Sequence, residues 1–325
     1  MFNTPILFLI FNRPETTAPV FEQIKKLQPK YLFVAADGPR NNRPGEAEEC
    51  SAARTIVLEG IDWDCEVKTF LRDENAGCRK AVSEAIVWFF EQVEQGIILE
   101  DDCLPDQSFF SYCEQLLERY KQDSTIISIG GTNLGYDFGN DDSYGFSRFM
   151  NMWGWATWRR SATMIDYNMA KWKKLTFKKL FLFGRLRDGK SLDINWINYW
   201  KNYFDITASG KLNTWDYQWI FAQQYFKKIS IFPAHNLVKN IGFTEKATHT
   251  AYPDHPIASL PLQTLPFPLQ HPAKNEVDKI YEDDYLKKIW FGHQKESVFS
   301  IVKTKLLYIP AVARLNNYFK NIFNK

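Results

Sequence analysis

At 325 residues with 45% apolar content, the chain is long enough to bury a sizeable core and to form one large domain or a domain with an appendage. Its 40 basic and 38 acidic residues leave a net charge of +2, which argues against a general polyanion binder, so nucleic acid is not an expected partner. The five cysteines form no C-x-x-C pair, which points to neither a disulfide framework nor a zinc ribbon and makes a reducing cytosol the simplest setting.

In chain order, the first 130 residues alternate short β-rich runs with longer helical patterns. Strands are predicted at Ile6 to Phe11, Tyr31 to Ala36, Glu66 to Leu71, Gly96 to Leu99 and Ile126 to Ile129. Helices are predicted near Glu15 to Leu27, Gly45 to Glu59, Ala76 to Glu94 and Asp106 to Tyr120. That alternation predicts an α/β fold with a mostly parallel sheet flanked by helices. The first apolar run is too short to span a membrane and has no positive residue before it, so it reads as a buried strand rather than a signal peptide.

Four of these strands end in polar residues: Asn12 and Arg13, then Asp37 to Arg40, then Arg72 to Gly77, then the acidic triplet Glu100, Asp101 and Asp102. Ligands of open α/β sheets collect outside the carboxyl ends of the strands, so this edge is where chemistry is expected. The triplet suits a divalent cation beside phosphates, since such an ion needs only one or two carboxylates from the protein. Alternate directions along a strand let Asp102 face the metal while Asp101 or Glu100 meets sugar or ribose hydroxyls; the alternative is a solvated helix start. Arg72, Asn75 and Gly77 precede a helix whose free amides favour anions, with Arg79 and Lys80 in its first turn.

Beyond residue 135 the character changes. A Trp-rich segment runs from Met152 to Trp158, and the aromatic stretch Lys171 to Lys190 carries eight cations against one Asp. That stretch is either an amphipathic helix on a surface or a solvated helix with an ordinary core face. Ala251 to Pro272 holds six prolines and must run mostly extended as a strap. Ser297 to Lys325 has five basic residues and no acid, so it reads either as a membrane-surface or partner-docking helix or as a packed terminal helix. The predicted division is residues 1–250 as the main domain and 251–325 as strap and basic tail.

Taken together, Phe-Asn-Arg-Pro at 11–14, Asp-Gly-Pro-Arg at 37–40, Arg-x-x-Asn-x-Gly at 72–77 and Glu-Asp-Asp at 100–102 resemble a GT-A fold nucleotide-sugar glycosyltransferase. The motifs are similar to those of family 2-like and inverting N-acetylglucosaminyltransferase enzymes. The resemblance spans roughly residues 5 to 250 and implies an inverting, metal-dependent sugar transferase of the hexosyl or N-acetylhexosaminyl class. Its donor would be a nucleoside-diphosphate sugar, UDP-sugars favoured, and its acceptor a glycan or lipid-linked hydroxyl. By the same resemblance Asn12, Arg13, Asp37, Arg40, Arg72, Asn75, Glu100 and Asp101 would bind the nucleotide sugar, and Asp102 with His249 would hold Mn2+ or Mg2+. Asp216, between Trp215 and Trp219, would be the catalytic base. Trp153, Trp155 and Trp158 would form an acceptor floor, the alternative being ordinary core packing. A polysaccharide-building enzyme of the cytoplasm, peripheral on the inner membrane face through its tail, is the setting implied. The rivals are a metal-dependent nucleotidyltransferase and a non-catalytic carbohydrate-binding or membrane-docking protein.

Overall fold

The computed structural model describes residues 2–186, 194–243, 256–286 and 289, so His249 and the basic tail lie outside the described residues. In the first half, strands β1 (Ile6–Ile10), β2 (Tyr31–Ala36), β3 (Glu66–Leu71) and β4 (Gln95–Glu100) alternate with helices α1 (Pro14–Leu27), α2 (Glu46–Leu58) and α3 (Cys78–Gln92). There follow a short β5 (Cys103–Pro105), α4 (Gln107–Arg119) and β6 (Ile126–Gly130). The second half adds β7 (Tyr144–Ser147), β8 (Trp155–Trp158), α5 (Arg159–Ala162), α6 (Ala170–Lys174), α7 (Lys178–Leu186), α8 (Ile194–Ala208), α9 (Asp216–Tyr225), β9 (Ile229–Pro233) and β10 (Val238–Asn240).

Eight strands make one mixed sheet in the order β3-β2-β1-β4-β8-β6-β9-β7. The first four are mutually parallel, and β8 runs antiparallel between β4 and β6. Along β1 the two-residue period divides the core. Ile6, Phe8 and Ile10 pack on one face with Val20, Phe21 and Phe110, while Leu7 and Leu9 pack on the other with Phe89 and Trp155. Both faces are covered, which is why β1 reads as an unbroken apolar run rather than an alternating one. At the sheet's edge, β3 alternates polar and apolar residues and carries Glu66 and Lys68, a pattern that discourages pairing with another chain.

The local signals are ordinary ones. Helix α1 opens on Pro14, whose missing N–H is no loss at a first helical position, and α4 is capped by the Asp106 carboxylate, which accepts from Ser108 N at 2.9 Å. From residue 256 onward the proline-rich strap runs over the body and is pinned there. Leu265 N donates to Ser108 Oγ, Gln270 N to Ser143 Oγ and Asp278 N to the Phe146 carbonyl, and Leu265 and Leu269 are buried. The strap ends in a π-helical turn, Tyr281–Leu286, with Tyr281 stacked on Phe232 and Glu282 paired with Arg148 beneath the surface. All five cysteines are free. Among the described residues no helix is long and apolar enough to cross a membrane.

Candidate active site

Strands β1, β2 and β4 deliver their carboxyl ends to one rim. At the end of β4 the acidic triplet turns the corner into β5, which pairs antiparallel with β10 and draws the chain after Asn240 across the acids. Ile241 N donates to the Asp102 carbonyl at 2.8 Å, and Gly242 lies so close that a Cβ there would strike Asp102 Oδ2. Only glycine lets the backbone pass.

Arg13, just beyond β1, bridges two of the acids: Nη2 pairs with Asp101 Oδ1 and Nη1 with Asp102 Oδ2, the latter at 2.9 Å. Asp101 also accepts from Phe11 N at 3.0 Å and is only 2% exposed. Burial pushes its carboxyl up to about 6, with Arg13 opposing the rise. Burial likewise drives Glu100 well above the carboxylate range, and the charges of Asp102, Asp101 and Asp216 add to it. Burial pulls the Arg13 guanidinium down, but the two aspartates more than offset that and leave it above its ordinary value. Arg13 therefore serves two aspartates at once, with the acid Glu100 buried beside them.

At the end of β2, Asp37 is a brace. Its Oδ1 accepts from Gly38 N and Ala76 N, and its Oδ2 from Asn75 Nδ2 and Gly77 N, all within 2.8–3.1 Å. Asn75 also donates to the Gly38 carbonyl. Asp37 and Asn75 are thus occupied in stapling the β2 and β3 ends together, a task Arg54 shares through the carbonyls of Asp37 and Arg72. Arg40 binds Glu46 through its backbone N–H and its guanidinium, and Asn12 Nδ2 donates to the same carboxylate at 2.9 Å. Arg72 pairs with Glu84 and lies over the Phe70 ring, 4.7 Å from its centroid.

Asp216, the first residue of α9, comes to this rim from 114 residues beyond Asp102. A tie at Arg79 brings it there. The guanidinium donates to the carbonyls of Thr207, Leu212 and Thr214, and Arg79 N to Asn213 Oδ1, so the α8–α9 loop is fastened to the start of α3. Gly77, with φ near +80°, makes room, because a Cβ there would sit 2.9 Å from Asn213 Nδ2. Thr214 Oγ1 and Tyr217 N both donate to Asp216 Oδ1. Its charge adds to the forces raising Glu100. Both carboxylates also act on Cys78, whose thiol is pushed up to about 12 by burial and then by Glu100, Asp216 and Asp37, so it stays a neutral thiol there.

No family model matches this chain, and no curated protein does. Among solved structures it is similar to mouse xyloside xylosyltransferase 1 in its apo form, with 9% identity over 69% of this chain and 82% of that one and a TM-score of 0.33. It is also similar to the galactosyltransferase LgtC in complex with donor and acceptor sugar analogues, with 8% identity over 67% and 69% and a TM-score of 0.32. HddC from Yersinia pseudotuberculosis aligns with 8% identity over 54% and 87% and a TM-score of 0.30. Likeness this loose decides nothing about chemistry, which has to come from the residues themselves.

The Trp-rich segment needs correction as an acceptor floor. Trp155 and Trp158 belong to β8, a central strand buried throughout, and three positions apart they point to opposite faces of a sheet covered on both. Trp155 is fully buried, stacked on Trp215 and edge-on to Trp219, and Trp158 is buried on the opposite face with its indole N–H on the Leu117 carbonyl. Only Trp153 is partly open, edge-on to Phe243 at 5.5 Å. Beside Asp216, helices α8 and α9 hold a half-buried aromatic cluster of Tyr199, Tyr203 and Tyr217. Tyr203 and Tyr217 are stacked 4.8 Å apart at 7°, and the Tyr199 and Tyr203 rings lie 4.5 Å apart. Glu46 and Gly242 escaped sequence reasoning, only a glycine following Asn240-Ile241 hinting at the second, and Arg79, expected to add charge for an anion, braces the α8–α9 loop instead.

Proposed function

We propose that the protein is a glycosyltransferase that moves a sugar from a nucleoside-diphosphate sugar, UDP-sugars favoured, to a hydroxyl of a glycan or lipid-linked acceptor, with inversion. The observation that carries this reading is the meeting of Asp216 with the β4 acids at the carboxyl edge of parallel strands, with one oxygen of Asp216 fixed and the other free. Oδ1 is held by Thr214 and Tyr217, while among the described residues no hydrogen bond engages Oδ2. A carboxylate so oriented can accept the acceptor's proton as the hydroxyl oxygen attacks the anomeric carbon and the nucleoside diphosphate departs.

The residues fit a divalent cation by donor type. The corner offers hard oxygen donors from three adjacent acids. Asp102 and Glu100 are the residues to hold Mn2+ or Mg2+, while Asp101, committed to Arg13 and Phe11 N, orients the corner. Such an ion supplies charge neutralisation for the leaving diphosphate.

Of the nearby arginines, Arg72 is freed at least cost. Its partner Glu84 is nearly half exposed, and pairs of that kind are worth about 0–1 kcal/mol. Arg40 is held by several bonds to the buried Glu46 and serves better as a brace. Trp153, Tyr203 and Tyr217, each only half-buried, are the rings to meet an acceptor sugar.

Nucleoside diphosphate release from a panel of sugar nucleotides tests the reading. Asp216→Asn should lose about 10²–10⁴-fold in turnover while UDP with manganese still raises its melting temperature. Asp102→Ala should lose that stabilisation as well. Full turnover in both variants, or release of pyrophosphate in place of nucleoside diphosphate, would sink it.

A further inference from the structure

Helices α6 and α7 present a surface that the proposed reaction does not use. Residues 170–186 carry six cations, Lys171, Lys173, Lys174, Lys178, Lys179 and Arg185, and no acid, in a chain whose net charge is only +2. The inward side is conventional: Trp172, Leu182 and Leu186 are buried, with Trp172 edge-on to Phe204 and Phe221. The outward side is not. Phe177, immediately before α7, is 73% exposed and Leu180, in its first turn, is 66% exposed. Of the cations, Lys178 pairs with Asp205, whereas among the described residues Lys173, Lys174 and Lys179 have no carboxylate partner and are exposed.

A merely solvated helix gains nothing by holding a phenylalanine and a leucine in water. Unpaired ammonium groups around two bared apolar side chains match the boundary layer of an anionic bilayer, where the rings enter the acyl region and the lysines meet lipid phosphates. From its inward side the same helix is held firmly to the body. Arg148 joins the end of the strap to α7, pairing with Glu282 and donating from Nη1 to the Arg185 carbonyl at 2.9 Å, and Leu286 is buried in the cluster that holds Leu182 and Leu186. Leu286, the last residue of that turn, is thereby anchored against α7.

We infer that the α6–α7 surface, centred on Phe177 and Leu180 and ringed by Lys173, Lys174 and Lys179, is a docking surface for an anionic lipid bilayer. This does not depend on the chemistry proposed above. Co-sedimentation of the full chain with vesicles of phosphatidylcholine alone, or of phosphatidylcholine with phosphatidylglycerol, tests it. The protein should sediment with the anionic vesicles, release with added salt, and stay in solution with the neutral ones. The triple variant Lys173→Glu, Lys174→Glu, Lys179→Glu should weaken that binding by at least about tenfold. The double variant Phe177→Ser, Leu180→Ser should weaken it too. These positions are on the surface, so both variants should melt at the wild-type temperature, which separates lost docking from lost folding. Wild-type binding by both variants, no binding by the wild type, or equal binding to neutral vesicles would each overturn the inference.

Discussion

Gly242→Ala is the sharpest test of the acid corner, because it adds a single methyl group where the backbone crosses Asp102. The new carbon would collide with Asp102 Oδ2 and lie 2.9 Å from Asp102 Cβ and 3.0 Å from Arg13 Nη1. To regain an ordinary contact of about 3.5 Å the carboxylate must move by roughly an ångström. It then loses the 2.9 Å bond from Arg13, a charge-assisted bond worth about 1.5–3 kcal/mol. Overpacking of this kind costs about 1–3 kcal/mol, which lowers the melting temperature by several degrees. The effect on catalysis should be larger, since a displacement of about 1 Å in a positioned group costs on the order of 10²-fold in rate. The assay is the initial rate of nucleoside diphosphate release, set beside a thermal melt and a control, Gly184→Ala, where an added Cβ meets nothing within 4 Å. That control replaces a helical glycine by alanine and should leave turnover intact and raise stability by up to about 1 kcal/mol. Wild-type turnover in Gly242→Ala would refute the claim that this backbone crossing sets the position of Asp102.

Two further outcomes follow from buried charge. Arg148→Met strands Glu282, which is 1% exposed, and should cost about 3–5 kcal/mol in urea unfolding, more than Glu282→Gln; equal losses would show that the pair is not what fastens the strap. Asp101 has a folded-state carboxyl raised from 3.8 to about 6, so the folded chain holds that proton more tightly than the unfolded one. Its contribution favours folding below pH 3.8 and is lost as pH rises through about 6. Asp101→Asn should remove that fall from the stability–pH curve, and superimposable curves for the two proteins would disprove the assignment.

The amino-acid sequence by itself determined the first half of the fold. The runs Tyr31–Ala36 and Glu66–Leu71 are strands over the very residues their pattern marks, and α1, α2, α3 and α4 begin and end within two residues of expectation. Local physics suffices there, because an apolar run bounded by polar turns has one good solution in a sheet covered on both faces. The same reasoning placed Arg13, Asp37, Arg72 and the acidic triplet at strand ends, since a strand's end is a property of the chain alone.

What each side chain does at those ends was decided by tertiary structure. Asp37 and Asn75 read as ligand contacts but spend their bonds on neighbouring backbone. Trp155 and Trp158 read as a sugar platform but fill a central strand, because β8 inserts between β4 and β6 and no local pattern announces an antiparallel insertion. Glu46, Arg79 and Gly242 act through partners at least six and as many as 140 positions away, Asn213, Arg40 and Asp102 among them. Contacts of that separation leave no periodicity in the sequence. They exist only once the sheet has brought distant segments to one rim, where burial sets which carboxyl keeps its proton.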